Sequence, residues 1–311
     1  MPMKKPTDER LAELTDKLEN GIKELYASGK YAEYLRAMSK FHHYSFGNAL
    51  LILFQCPTAT RVAGYNTWKK DFGRNVKLHE KGIQILAPCP SRQYVWKEVT
   101  DPQTGKVLCN PDGSPRRETQ LVTVTRFKVA TVFDVSQTEG KALPTLGVTR
   151  LTGDVENFAA IYDKLTALSP VPVEIDICPG EANGYFSSAE GRIVLRPGMS
   201  QIQTVKTLVH EIAHAKLHDA KNIPPEERKQ RREKEVEAES IAYVVCQHFG
   251  IDTSEYSFGY VAGWSRGKEM NELKSSLDQI HSTAGEIIAA LDDTCIAPTP
   301  QQSKSTYQYA R

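Results

Sequence analysis

Three residues in one short stretch have the types and spacing that metal chemistry requires. His210 and His214 lie four apart in Thr207-Leu208-Val209-His210-Glu211-Ile212-Ala213-His214-Ala215, the pattern His-Glu-x-x-His. At about 3.6 residues per turn, both imidazoles leave one face of a helix and can meet on a single ion. Glu211 projects beside them, placed to take a proton from water on that ion. Two histidines do not hold zinc alone. A catalytic zinc takes three protein ligands and leaves the fourth position to water, whose pKa falls towards ~7.

The elements that must position these groups are marked in the sequence. Ser200, with Gln203 three residues on, reads as a capping box at the start of the helix. Val205, Leu208, Val209, Ile212 and Leu217 form its apolar stripe, and Asn222 with Pro224-Pro225 closes it. A second helix is expected from about Pro225 to Phe249, with Gly250 at its end. In its middle Glu235 and Glu239 share a face, whereas Glu237 points elsewhere. Glu235, 21 residues beyond His214, is read as the third ligand. Glu239, one turn on, is expected to accept a hydrogen bond from a ligand histidine and fix its tautomer. His218 is an alternative ligand, set against a surface or supporting role because it lies a full turn beyond the pair. Just upstream, Gly184 to Leu195 reads as a hairpin turned at Glu190-Gly191, a strand beside the site that could hold an extended peptide. Five-residue motifs recur by chance and glutamate-rich helices are ordinarily solvated. Here the helix register, the second amphipathic helix and the hairpin set the motif apart.

This order of hairpin, His-Glu-x-x-His helix and Glu-x-Glu-Ala-Glu helix resembles the zincin-type metallopeptidases of the ImmA/IrrE group. It is also similar to the C-terminal domain of ArdC-type antirestriction proteins. The resemblance covers about Leu151 to Trp264, and it implies that the glutamate at 235 completes the metal site.

With 311 residues and 40% hydrophobic content the chain is long enough for two globular domains. The longest apolar run of the N-terminal half, Ala49 to Phe54, is far short of the ~20 residues of a membrane span, and no signal peptide is recognised. Six scattered cysteines with no Cys-x-x-Cys pair suit a reducing cytoplasm. The net charge of +1 conceals an asymmetry. Residues 1–150 carry 23 Lys/Arg against 15 Asp/Glu (+8), and the remainder 16 against 23 (−7). A basic half beside an acidic half points to a polyanion-binding module next to one with another task.

Leu11, Leu14, Leu18, Ile22 and Leu25 predict a first helix closed at Gly29, and helices follow over Tyr31–Phe41 and Tyr44–Phe54. From Arg61 to Lys97 eight Lys/Arg meet two Asp/Glu, interleaved with aromatic residues. Bases stack on rings while cations follow phosphates, so Arg61, Tyr65, Trp68, Lys69, Lys70, Arg74, Lys77 and Lys81 are the candidate contacts to single-stranded DNA. Tyr65, Trp68 and Phe72 equally fit one buried helix face, with the lysines merely solvated. The segment Ser45–Pro88, with Gly64-Tyr65-Asn66-Thr67-Trp68, Lys81-Gly82 and the later Val132–Thr138 strand, resembles the N-terminal domain of ArdC-type proteins. That resemblance implies single-stranded DNA binding. Gln93 to Val135 reads as strands around a surface excursion, Asp101–Arg117, and Gln137–Leu151 as a linker. Val155–Leu168 is expected to be helical, Val171–Cys178 a strand, Tyr256–Trp264 a packing segment and Met270–Leu291 a final helix.

The expected fold is therefore α+β in two domains, a DNA-binding module over 1–140 and a minimal zincin-like domain over 151–292, with a tail over 293–311. The expected cofactor is Zn2+ or another divalent ion, the expected partners single-stranded DNA and a peptide or protein substrate, and the expected place the cytoplasm rather than a membrane. Family resemblance implies protection of entering DNA on behalf of a mobile element. Two peptidase readings stand beside it: cleavage of a host protein by an enzyme that the basic domain localises to DNA, and ImmA/IrrE-like cleavage of a repressor, with the N-terminal half binding protein. Tyr243 and His218 are the available groups for an oxyanion, neither with further support.

Overall fold

The computed structural model describes residues 7–27, 30–101, 104–143, 158–251 and 268–295. The chain is α+β, as expected. Helix α1 (Thr7–Ala27) is followed by α2 (Tyr31–Lys40) and α3 (Phe46–Gln55). Leu14, Leu18, Ile22 and Leu25 of α1 are buried, as their spacing requires, whereas Gly29 lies outside the described residues. Ser45 caps α3, its hydroxyl accepting the Asn48 backbone N–H, which satisfies one of the free donors of a first helical turn.

The strands of the N-terminal half are short except for one pair. β1 (Val62–Gly64) leads into α4 (Tyr65–Lys70), then β2 (Arg74–Val76). β3 (Ile83–Glu98) and β4 (Arg117–Asp134) form an antiparallel ribbon with β1 on the far edge of β4, in the order β1-β4-β3. The base of β3 is covered by α3, and two amides on that helix complete its edge. Asn48 both donates to the Leu86 carbonyl (2.9 Å) and accepts the Leu86 N–H (2.9 Å). Gln55, two turns later, does the same for Gln84 at 2.8 and 3.0 Å. These side chains stand in for the strand that is missing there. In the excursion after β3, residues 104–117 are solvent-exposed, as expected. The linker begins later than predicted, because Thr138–Gly140 forms β5 and pairs with β2. Residues 144–157 lie outside the described residues.

The C-terminal half begins with α5 (Phe158–Leu168), and then β6 (Val173–Ile175), β7 (Gly184–Ser187) and β8 (Arg192–Leu195) form a sheet in the order β6-β8-β7. The predicted hairpin is β7–β8, and Gly191 at its turn has φ +70°, where an L side chain is strained. Helix α6 (Gln201–Leu217), a 3-10 turn at Pro225–Glu227, α7 (Arg231–His248) and α8 (Met270–Cys295) complete the fold. Tyr256–Trp264 and, of the expected tail over 293–311, everything beyond Cys295 lie outside the described residues, residues 293–295 belonging to α8. No helix among the described residues is long and apolar enough to cross a membrane.

One large apolar core runs through both halves. It joins Leu14, Ile22, Tyr34 and Leu51 of the first three helices to Leu208, Ile212, Ile241, Val245, Leu277 and Ile288 of the last three. A smaller core under the ribbon base holds Phe41, Ile52, Val62, Ile83, Ile85 and Val132. Polar contacts cross the same seam. Tyr31 and Ser240 hydroxyls lie 3.0 Å apart, Arg36 Nε donates to the Tyr243 hydroxyl at 3.1 Å, and the Ser39 carbonyl lies 2.8 Å from His248 Nδ1.

Candidate metal centre

Helix α6 carries the motif, and its start follows the sequence only in part. The Ser200 hydroxyl accepts the Gln203 N–H at 3.2 Å, but the Gln203 side chain turns forward to Thr207 instead of closing a reciprocal box. Val205, Leu208, Val209 and Ile212 are buried, which fixes the rotation of the helix. His210 and His214 then lie on its flank, facing α7. Their Nε2 atoms stand 3.1 Å apart, and the Glu235 carboxylate of α7 lies 3.5 Å from His210 Nε2 and 3.7 Å from His214 Nε2. These three are a group whose donor atoms converge closely enough for one cation. A tetrahedral ion with bonds of ~2.1 Å needs donors ~3.4 Å apart, so two imidazoles and one carboxylate at these separations fit a divalent metal.

The electrostatics agree with the geometry. The hydrogen bonds from His210 and His214 hold the Glu235 carboxyl well below the usual carboxylate range. Burial opposes a charged His210 ring, but its hydrogen bond to Glu235 and the neighbouring carboxylates outweigh that and raise it. Glu211 is itself buried, and that burial pushes its pKa up, against the pull of His210 and of a backbone hydrogen bond from Phe186. A carboxyl raised in this way is nearer the pH at which it can both take and return a proton.

A cleft of about 330 Å3 opens on this group, lined among others by Asn183, Gly184, Lys206, Glu211 and Glu239. Strand β7 forms one wall. Gly184 brings it so close to α6 that a Cβ there would lie 2.6 Å from the Thr207 methyl. β7 is an outer strand of its sheet, so one backbone edge has no strand partner among the described residues.

Glu239 lines the cleft beside His210 and adds its negative charge there. His214 has a further support, a buried relay through His218 and Glu237. His214 Nδ1 lies 3.0 Å from His218 Nδ1, and His218 Nε2 lies 2.9 Å from Glu237 Oε2. Glu237 is fully buried and is held by Lys229 Nζ at 2.5 Å and by the Ser276 hydroxyl of α8 at 2.7 Å. Although burial alone would raise it, these donors together lower its pKa, so it is a carboxylate. A carboxylate accepts from His218 Nε2–H, which leaves the Nδ1 lone pair of His218 to accept from His214 Nδ1–H. The Nε2 lone pair of His214 is thereby directed to the metal position. His218 is thus neither a ligand nor a surface residue. The sequence does hold a signal for Glu237, since it shares a helix face with Ser240, Ile241 and Val244, an otherwise small and apolar stripe. Tyr243 does not border the cleft but is buried against Arg36 of α2.

The candidate DNA contacts differ in exposure and in what they touch. Trp68 departs from the expectation. It is completely buried, its indole N–H donates to the Phe133 carbonyl at 2.8 Å, and its ring packs 5.0 Å from that of Phe72. It is core, so no base can stack on it. Tyr65 is half exposed and Lys69, Lys70 and Lys81 are exposed. Arg74 is engaged with the Thr138 hydroxyl and the backbone of Thr138 and Lys141, and Lys77 with the Ser136 carbonyl. Arg61 is partly buried, and its backbone N–H donates to Asp134.

Comparison with known proteins follows the same two-part pattern. Residues 4–133 match the N-terminal domain of anti-restriction factor ArdC, and residues 179–256 match the IrrE N-terminal-like domain of the M78 peptidases. An uncharacterised protein of Bacillus anthracis is 30% identical over an alignment of 327 positions, which covers 93% of this chain. The chain spans about half (52%) of the length of that curated relative. Two crystal structures of the antirestriction ArdC protein from the R388 plasmid are similar. The metal-free one has 19% identity and a TM-score of 0.47, covering 81% of this chain and 86% of that one. The Mn(II)-bound one has 16% identity and a TM-score of 0.46, covering 84% and 85%. The chain thus carries, in this order on one polypeptide, a segment that matches the ArdC N-terminal domain and a segment that matches the IrrE-like M78 peptidase domain.

Proposed function

We propose that this chain is a single-stranded-DNA-binding, antirestriction-type protein of a mobile element whose C-terminal part is a zinc metallopeptidase. The observation that carries the enzymatic half is the convergence of His210, His214 and Glu235 beside buried Glu211, in a cleft walled by a free strand edge. Two nitrogens and one oxygen suit Zn2+, and other divalent ions are accommodated by the same set. When bound, such an ion supplies Lewis acidity to the scissile carbonyl and lowers the pKa of water. The chain's own residues do the rest. An extended peptide pairs with the outer edge of β7, which sets its carbonyl over the cleft. Glu211 takes the proton of the attacking water and returns it to the departing amine nitrogen. His218 and Glu237 keep His214 in the tautomer that leaves its Nε2 lone pair free.

The division into 1–140, 151–292 and a tail over 293–311 is proposed as a division of labour, because the large core belongs to both halves. The basic N-terminal part takes the nucleic acid and the acidic part the peptide, in the cytoplasm.

Glu211→Gln tests the reading. It keeps all three ligands and removes the base. Unchanged metal content with peptidase activity lost by at least a hundredfold, the lower range for a general base, is the expected result. Unchanged protection of DNA in that variant would leave the metal site a structural role. A second reading, an ImmA/IrrE-like peptidase that cuts a repressor or host protein, is favoured by the same cleft and strand edge. It predicts that the variant loses its biological effect while any DNA binding persists.

A further inference from the structure

Beyond Pro88 and Phe127 the β3–β4 ribbon leaves the body of the protein, and no third strand among the described residues pairs with it there. Isolated two-stranded ribbons are marginal in water, and this one also exposes large apolar rings. Tyr94 is 74% exposed, Trp96 73% and Phe127 51%. The register runs from Ile83↔Val132 to Glu98↔Arg117 without a bulge, so the alternation of faces is unbroken. Arg92, Tyr94 and Trp96 therefore share one face with Leu121, which pairs with Tyr94, and with Phe127, which pairs with Pro88. Four cations, Arg92, Lys97, Arg126 and Lys128, are exposed on the ribbon without an ion pair among the described residues, whereas Arg117 is paired with Glu98 and Arg116 with Glu118. Lys97, Arg126 and Lys128 belong to the reverse face, but a ribbon two strands wide lets long side chains reach round its edges.

We propose that this aromatic face is a stacking platform for single-stranded nucleic acid, with the flanking cations following its phosphates. The proposal rests on the DNA-binding reading above and assigns it to a surface other than the Arg61–Lys81 segment. Spacing selects the occupant. Same-face residues two apart in a strand lie ~6.8 Å from one another, twice the ~3.4 Å rise of stacked bases. A polynucleotide laid along Tyr94 and Trp96 must therefore be unstacked, which a single strand tolerates and a duplex does not. The face runs ~27 Å from Phe127 to Trp96, room for several such bases. Charge selects against a second copy of the ribbon, because the cations reaching round the edges of one ribbon repel those of the other. Pro88 and Pro90 also remove N–H donors from the β3 edge, which discourages strand addition.

The test uses the full chain and a fluorescein-labelled single-stranded oligonucleotide, with the corresponding duplex alongside. Tyr94→Ala/Trp96→Ala is expected to weaken single-strand binding at least ~10-fold while leaving thermal stability and metal content unchanged, since both rings are exposed. Tyr94→Phe/Trp96→Phe, which keeps flat rings, restores most of the affinity. Arg126→Ala/Lys128→Ala lowers the slope of log K against log salt by ~1.4, two phosphate contacts at ~0.7 each for a single strand. Wild type that binds while the alanine pair binds equally well overturns this inference and leaves the DNA-binding reading standing. Wild type that fails to bind overturns both. Preference for the duplex, or a wild-type dimer that Trp96→Ala dissociates, overturns the single-strand platform.

Discussion

At the scale of single residues, the candidate site is a problem in tautomers as much as in ligands. A histidine binds a metal through one nitrogen only if the other carries the proton, and His214 is held in that state from behind by His218 and Glu237. His218→Ala is expected to weaken metal binding ~10–100-fold, the range found when such supporting groups are removed, read by competition with a chelating dye. Glu237→Gln should act in the same direction, because an amide no longer demands the His218 proton. A variant with unchanged metal affinity would dismiss the relay. A second residue-scale prediction concerns acid. Burial raises Asp134, but the Ser136 hydroxyl and the backbone N–H groups of Ser136, Thr60 and Arg61 together lower it below its ordinary value. A carboxyl depressed in the folded state stabilises fully above its unfolded pKa of ~3.9, and that contribution is lost as pH falls towards the lower folded value. Asp134→Asn should therefore be less stable than wild type at neutral pH and converge on it below pH ~4 in thermal melts.

At the scale of elements, the ribbon base depends on a helix that imitates a strand. Asn48 and Gln55 each give a donor and an acceptor to the open edge of β3. Asn48→Ala strands the N–H and C=O of Leu86 in a part-buried place and should cost about 1–3 kcal/mol in denaturant unfolding. No periodicity announces such a role, since both amides lie among Leu50, Leu51 and Ile52 in what reads as a plain apolar helix. Helices α6 and α7 were legible for the opposite reason. Their functional residues repeat at three and four, the period on which the helix itself is built. The limit of that reasoning is plain at Trp68, where the same spacing fits a stacking face and a core face. Only the Phe133 carbonyl waiting for its N–H decides between them.

At the scale of the molecule, the N-terminal helices are part of the floor on which the metal helices rest. Ile22, Leu25, Tyr31 and Tyr34 share a core with Ile241 and Val245, and Lys274 of α8 pairs with Glu19 of α1 at 2.6 Å. The full chain should therefore unfold in one transition, seen alike by near-UV dichroism and by release of bound metal. A fragment ending at residue 143 should expose the abandoned helix faces and bind a hydrophobic dye; an independently folded, monomeric fragment would refute the shared core. What the sequence alone determined is local: helix and strand periods, the His-Glu-x-x-His pair, the carboxylate at 235, the charge asymmetry and the order of two resembled domains. Each follows from residues near one another in the chain. What only the tertiary structure decided is which side chains meet across the fold. The Glu237–His218–His214 relay, the burial of Trp68, the amide-capped edge of β3, the bare aromatic face of the ribbon and the core common to both halves all depend on how separate elements pack. Burial and hydrogen bonding at such places are fixed by that packing, and a local pattern at most hints at them.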